Sequence, residues 1–331
     1  MPQQAVLLLA HGTPETVEQI PEYLRNVTGG RPLPQEVIEE IQRRYALIGH
    51  SPLTEITLEQ ARLVESELSQ PSQKDQPQVL RLASLAQNDK LMGHPEIPVY
   101  AAMRNWHPYI VDVVRQMRAD GVEEAAVLCL APQNSRTSTG LYRRAVESSG
   151  LRIDFTENWA DHPLLIAAFA ERLRAAWSKL TAETGSPVPV LFTAHSVPLR
   201  TVQTSEGQTA DPYAKQAKRT ATLVAERVPE IAQWFFAFQS QGASGGPWLG
   251  PTVEEKLGSI VASGATTVLL QPIGFLCDHV EILYDVDIFF RDFARKLNLR
   301  LERPESLNAS PTLAKAIADL ARQGLARLAG L

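Results

Sequence analysis

Leu191-Phe192-Thr193-Ala194-His195-Ser196-Val197-Pro198 is the stretch whose reading decides the architecture. Val190–Ala194 is a short unbroken apolar run, the pattern of a strand in a parallel sheet covered on both faces. Proline does not continue a strand in a sheet centre, so the strand ends before Pro198. His195 therefore stands at the carboxyl end of a buried strand, where open α/β sheets bind their ligands. A neutral imidazole there can bind a metal or take up a proton near pH 7. The alternative is a histidine satisfied by backbone groups where the strand stops.

The same unit recurs on both sides of this stretch. Upstream, Val6–Ala10 reads as a strand and His11-Gly12-Thr13-Pro14 as the turn that punctuates it. Helices follow at Glu18–Val27, Gln35–Ile48 and Thr54–Leu68, with Val37, Ile38, Ile41, Tyr45 and Ile48 at helical spacing on one face. Strands are expected at Val79–Leu85, Val99–Met103, Ala125–Ala131 and Leu151–Trp159. Helices are expected at Trp106–Asp120 and Thr137–Ser149. Downstream, helices at Pro163–Leu180, Asp211–Val228, Thr252–Ser263, Val280–Leu297 and Thr312–Leu328 alternate with strands at Gln233–Gln239 and Thr266–Ile273. Asp211 reads as an N-cap with Pro212 at the first helical position. Alternating strands and helices argue for parallel sheets with right-handed crossovers. We read an α/β protein of two doubly wound halves, residues 1–159 and 160–308, with a cleft between them. The last helix, within 309–331, is expected to return onto the first half.

Composition narrows the class. At 44% apolar and 21% charged residues the chain has the balance of a soluble globular protein. With a net charge of −5 and no basic stripe, nucleic acid is not an expected partner. Cys129 and Cys277 lie in or beside apolar runs with no C-x-x-C pairing, which suits reduced thiols in the cytoplasm. MPQQAVLLLA lacks a basic start, and no apolar run is long enough to span a membrane. The P-loop, the dinucleotide-binding glycine fingerprint, G-x-S-x-G and H-E-x-x-H are all missing.

A second stretch, Ile273-Gly-Phe-Leu-Cys-Asp-His-Val-Glu-Ile-Leu-Tyr-Asp-Val-Asp287, begins where a strand ends, as His195 does. If it is helical from Asp278, then Asp278, Glu281 and Asp285 share one face. Stacked carboxylates repel unless a cation or proton lies between them. With His279 and Glu281 brought to His195 by a common crevice, imidazole and carboxylate make a ligand set for a first-row divalent metal. The competing account is a first helical turn rich in acids because the helix dipole favours them, which covers Asp278 well and Asp285 poorly.

His195-Ser196 after its strand, DHVEILYD at 278–285, FQSQGASGGPWLGP at 238–251, HGTP at 11–14 and RRYALIGHSPL at 43–53 together resemble the ferrochelatases, in the right order from Val6 to about Leu328. The resemblance implies two Rossmann-like domains with parallel four-stranded sheets, a porphyrin cleft between them and insertion of ferrous iron into the porphyrin for heme synthesis. It implies that His195 binds metal or accepts pyrrole protons, that Glu281 is its partner across the site, that His279 is secondary and that Asp285 continues an acidic track. Phe289 stands where many relatives carry a third acid, so the track is shorter here. Iron is a substrate in this reading and no cofactor is required. Trp248, Tyr142, Tyr45, Ile273 and Phe275 are candidates for the apolar walls that a porphyrin plate needs.

The chain resembles most the bacterial enzymes that use coproporphyrin III. Arg44, Tyr45, Ser51 and Tyr142 match positions that contact the substrate in that group, and a guanidinium can grip a propionate in a two-point fork. Thr28 departs from an Arg that the group often has. His11 replaces a Tyr, and is expected either to reach product iron from the face opposite His195 or to hydrogen-bond the turn at Gly12-Thr13. Protoporphyrin IX is the alternative substrate. Further alternatives are a chelatase for another tetrapyrrole or metal, and a non-catalytic porphyrin-binding protein. The remaining expectation is a monomer without an integral membrane segment, open to transient contact with other enzymes of heme synthesis.

Overall fold

Among the described residues eight parallel strands form two sheets of four. The computed structural model describes residues 2–70, 97–203, 210–242 and 246–330. In the first sheet β1 (Gln3–Ala10) lies between β2 (Val99–Met103) and β3 (Val122–Cys129), and β4 (Arg152–Thr156) extends the edge. In the second, β5 (Val190–His195) lies between β6 (Trp234–Gln239) and β7 (Thr267–Pro272), and β8 (Arg300–Glu302) forms the edge. The central strands β1, β5 and β7 are almost wholly buried, which is why each reads as a continuous apolar run rather than an alternating one. The strand expected at 79–85 lies outside the described residues. The short edge strand β8 was not anticipated, because three residues carry no periodicity.

In the first half, α1 (Ile20–Val27), α2 (Gln35–Ile48) and α3 (Leu53–Leu68) follow β1. A 3-10 turn at Val17–Gln19 precedes α1, where the sequence suggested one continuous helix. The first sheet also carries α4 (Ile110–Ala119) and α5 (Thr139–Glu147). The expected start of α4 at Trp106 is corrected: Pro108 disfavours helical backbone at the residue before it. The chain crosses to the second half along α6 (Pro163–Thr184), just after Trp159, whose indole donates to the Cys129 carbonyl at 3.0 Å.

The second half holds the short α7 (Leu199–Val202), α8 (Tyr213–Arg227) and α9 (Val253–Ala262). Thr252 and Glu255 cap α9 reciprocally. Pro212, not Asp211, is the N-cap of α8. The Asp211 carboxylate instead accepts from the Tyr213 and Arg136 backbone amides. The helix expected over Val280–Leu297 is three pieces: α10 (Val280–Leu283), a π-helical turn at Asp285–Phe290 and α11 (Arg291–Lys296). His279 ahead of α10 is fully extended, so Asp278 is not on the helix and does not share a face with Glu281 and Asp285.

The last helix, α12 (Pro311–Ala329), packs on β3, β4, α3 and α6. Gly324 makes this approach close, since a Cβ there would meet the Ala126 Cβ at 2.9 Å. One continuous core joins Val6 and Leu8 of the first sheet, Phe169 of α6, Ile317 of α12 and Phe192 of the second sheet. The halves therefore share buried apolar surface, and the ends of β1 and β5 face a common cleft. Among the described residues no helix is long and apolar enough to cross a membrane.

Candidate functional site

A cavity of about 330 Å³ opens between the halves at the carboxyl ends of the strands. This is the lower end of the volume range of small-molecule sites. His195 and Glu281, distant in sequence, meet on its wall, with His195 Nε2 3.2 Å from Glu281 Oε1. His279 Nε2 approaches Glu281 Oε2 at 3.6 Å, and the Phe275 ring lies beside both imidazoles.

Local backbone explains how this set is presented. Beyond Thr193, which pairs with Pro272, β5 and β7 part and Gly274 passes against Ala194. A Cβ at Gly274 would lie 3.0 Å from the Ala194 Cα, so glycine is what lets the Phe275–Glu281 loop run beside the His195 strand end. The His195 carbonyl accepts from the Tyr213 hydroxyl at 2.8 Å, and Ser196 N donates to Gln239 O at 2.6 Å. His195 Nδ1 faces the Ser196 carbonyl, which assigns it the proton and leaves Nε2 toward Glu281. The backbone-satisfied reading thus holds for one nitrogen only. Gln239 Nε2 donates to the Glu281 carbonyl at 3.2 Å, tying β6 to α10.

Burial opposes a charge on His195, yet the adjacent Glu281 carboxylate outweighs it and holds the imidazole up at about 9. Burial likewise opposes ionisation of Glu281, and the His195 cation brings its carboxyl well below the usual range. The two form an ion pair at neutral pH, with about a third of each side chain open to the cleft.

His11 ends β1 and lines the same cleft. The Asn105 amide nitrogen lies 3.1 Å from its Nε2, and its ring meets Tyr23 edge-on. Burial, then the nearby Arg104 charge, pushes His11 down to about 3, so it is a neutral imidazole. Tyr45, Ser51 and Tyr142 also line the cleft. The Tyr45 hydroxyl pairs with Thr13 Oγ1 at 3.0 Å, and burial pushes Tyr45 up to about 12. Among the described residues the buried Ser51 hydroxyl has no hydrogen-bond partner. The Arg104 guanidinium stacks over the Tyr142 ring at 5.2 Å, and its buried Nη1 likewise has no partner among the described residues.

Four expected site residues stand elsewhere. Arg44 is not in the cleft wall: its guanidinium bonds Glu40 at 2.9 Å, lies 3.6 Å from Asp285 and covers the Tyr284 ring. Asp285 turns away from the cleft as well, accepting from Ser240 Oγ at 2.5 Å, because the π-helical turn begins there. Burial and then the Glu281 charge raise Asp285 to about 6, so the acidic track is not a row of open carboxylates. Trp248 bridges Pro198 through its backbone and sets its ring against Gly242, outside the residues that line the cleft. Ile273 is core rather than wall.

Arg104, Tyr23, Tyr213, Ser135 and Ser138 line the cleft and were not picked out from the sequence. Arg104 carried a usable signal, since it follows the apolar run of β2 as His11 and His195 follow theirs.

A family model described as ferrochelatase matches residues 3–325. The chain is 53% identical to the ferrochelatase of Acidobacterium capsulatum, over 98% of this chain and 95% of that protein. It is 33% identical to the coproporphyrin III ferrochelatase of Halalkalibacterium halodurans, over 97% of each. Among solved structures, SirB from Bacillus subtilis with Fe3+ superposes with a TM-score of 0.52 at 13% identity, covering 99% of this chain and 98% of that one, a likeness of fold. With an imidazole–carboxylate pair on the wall of an interdomain cleft and a family match over nearly its whole length, the chain belongs to the ferrochelatases, the lyases that insert iron into a porphyrin for heme synthesis.

Proposed function

We propose that coproporphyrin III is the porphyrin taken, and that His195 and Glu281 receive the ferrous ion and the pyrrole protons. The observation that carries the second part is the 3.2 Å His195–Glu281 contact on the cleft wall. Two protons must leave the porphyrin as the cation enters, and a carboxylate beside an imidazole supplies both a ligand and an acceptor. The incoming cation favours the neutral imidazole, so Nε2 is freed as iron arrives. Neutral His11 lies on the same cleft, where it is available as a ligand to product iron.

The choice of porphyrin rests on buried polar groups. Ser51 and Arg104 line the cleft, and each holds a side-chain atom without a partner among the described residues. Unmade hydrogen bonds of this kind cost about 1–3 kcal/mol each and are recovered when a ligand supplies the partner. Coproporphyrin has four propionates and protoporphyrin two, so it offers more acceptors to such donors. Relatives named coproporphyrin III ferrochelatase, at 30–33% identity, support the same reading. Arg44, held by Glu40 and Asp285, would reach a propionate only by exchanging one of those partners.

The test is anaerobic kcat/KM with ferrous iron for coproporphyrin III and protoporphyrin IX, on the native chain and on Arg104→Gln. We expect the ratio to favour coproporphyrin III and to fall in the variant. A ratio favouring protoporphyrin IX would overturn the substrate assignment and leave iron insertion standing.

A further inference from the structure

The loop that delivers His279 and Glu281 is held from behind by a side chain outside the cleft. Arg303 follows the edge strand β8, and only about 11% of its side chain is exposed. Its Nε and Nη2 grip the Asp287 carboxylate in a fork, at 2.8 and 2.7 Å. The same Nη2 reaches Asp278 Oδ1 at 3.1 Å. Nη1 donates to the Pro304 carbonyl at 3.2 Å and lies 3.5 Å from Ser306 Oγ. All five guanidinium hydrogens thus face acceptors.

The two acids flank Glu281 in the sequence. Asp278 immediately precedes His279 and comes three residues before Glu281. Asp287 lies in the π-helical turn six residues after Glu281. Asp278 is further fixed by Ser306 Oγ at 2.7 Å and Asn308 Nδ2 at 2.9 Å, and its own amide donates to Asn308 Oδ1 at 2.8 Å. The Asn308 carbonyl in turn accepts from Gln60 on α3 of the first half, at 2.8 Å. A chain of bonds therefore runs from α3 through Asn308 and Asp278 to Arg303 and the π-helical turn, passing behind the segment that carries Glu281.

We infer that Arg303 is a positioning residue for iron insertion, clamping Asp278 before Glu281 to Asp287 after it so that the Glu281 carboxylate stays opposite His195. A lysine would bring one point charge to a place that uses five directed donors. Without the guanidinium, the half-buried Asp278 and Asp287 carboxylates lose the cation they share, and they repel. The extended His279 backbone and the four-residue α10 join the two clamped acids, so a shift of either acid is passed to Glu281. Removing the outer partner of a metal-site group costs about 10–100-fold in affinity or activity.

This rests on the reading of His195 and Glu281 as the iron-receiving pair, so Glu281→Gln is measured alongside Arg303→Lys and Arg303→Met. The readouts are kcat, KM for iron, porphyrin binding by fluorescence quenching, and the pH profile of kcat. We expect both Arg303 variants to lose about 10–100-fold in kcat/KM for iron and to shift the pH profile, with porphyrin binding within about twofold of native. Arg303→Met/Asp287→Asn, which removes the stranded charge as well, should recover part of the loss. If Arg303→Met does not fold, Arg303→Lys, which keeps the charge and loses the fork, carries the test. Native iron kinetics and pH profile in the folded variants, with Glu281→Gln inactive, would overturn the role of Arg303 alone. An active Glu281→Gln would overturn the site assignment and this inference with it.

Discussion

Gly274→Ala tests whether the position of His195 is set by the loop from β7. The added Cβ would lie 3.0 Å from both the Cα and the Cβ of Ala194 and 3.3 Å from the His195 amide nitrogen. Carbon atoms in comfortable contact sit about 3.5–4.0 Å apart, so the end of β5 or the loop must give by about half an ångström. Ala194 is fully buried and its neighbour is backbone, so no flexible side chain can absorb the shift. Overpacking of this kind costs about 1–3 kcal/mol, offset by about 0.4–1 kcal/mol because alanine restricts the unfolded chain. A net loss of about 1–2 kcal/mol should lower Tm by about 1–3 °C in a chain of 331 residues. The effect on chemistry should be of about the same size in free energy, since a tenfold rate loss is about 1.4 kcal/mol. A misplacement of about 1 Å costs about 100-fold in rate, and half of that about tenfold. The assay is the initial rate of iron–porphyrin formation under anaerobic conditions, with Tm measured on the same samples. Gly258→Ala in α9 is the control, since a Cβ there meets nothing within 4 Å. It should keep full activity and gain up to about 1 kcal/mol. A Gly274→Ala enzyme with kcat within twofold of native and unchanged Tm would refute the argument that this close approach sets His195.

Three further outcomes are expected. In Glu281→Gln, His195 loses the carboxylate that holds it at about 9, and burial should bring its midpoint below the ordinary 6.5, read by NMR of the imidazole in the iron-free protein. In the native protein the raised His195 stabilises fully below 6.5 and loses that contribution as pH rises through about 9. The depressed Glu281 contributes above its ordinary 4.5 and loses it as pH falls below that value. The pair is therefore at full strength between about 4.5 and 6.5, worth about 1–2 kcal/mol after solvent screening of its exposed third, and denaturation profiles across pH should show that window. Gly324→Ala places a Cβ 2.9 Å from Ala126 and 3.1 Å from Asp154, so it should destabilise by about 1–2 kcal/mol despite the better helix propensity of alanine, and a raised Tm would contradict this. His11, held neutral by burial and Arg104, should show no titration between pH 5 and 9, and His11→Ala should change the absorption spectrum of bound iron porphyrin if the imidazole ligates the product.

Local sequence determined a good deal about this chain. Buried parallel strands are marked by continuous apolar runs, so β1, β2, β5 and β7 were legible to within a residue or two at most of their ends. The strand-end rule singled out His195 and the stretch that carries His279 and Glu281, and the motifs shared with one family added the porphyrin-cleft reading of His11. The limits of helices were less legible at Trp106 and Asp211, where proline chemistry moved the start by one to four residues. Tertiary structure decided the rest, because charged side chains choose their partners through space. Arg44 and Asp285 bear the right groups for a porphyrin site, yet Arg44 is taken by Glu40 on its own helix and Asp285 by the Ser240 hydroxyl just beyond β6. The helical face expected from Asp278 did not form, because Arg303, Ser306 and Asn308, some 25–30 residues later, supply Asp278 with better-directed hydrogen bonds than a helix dipole could. Arg104 carried the strand-end signal as well, but it is the pairing of β2 beside β1 that brings it to the cleft.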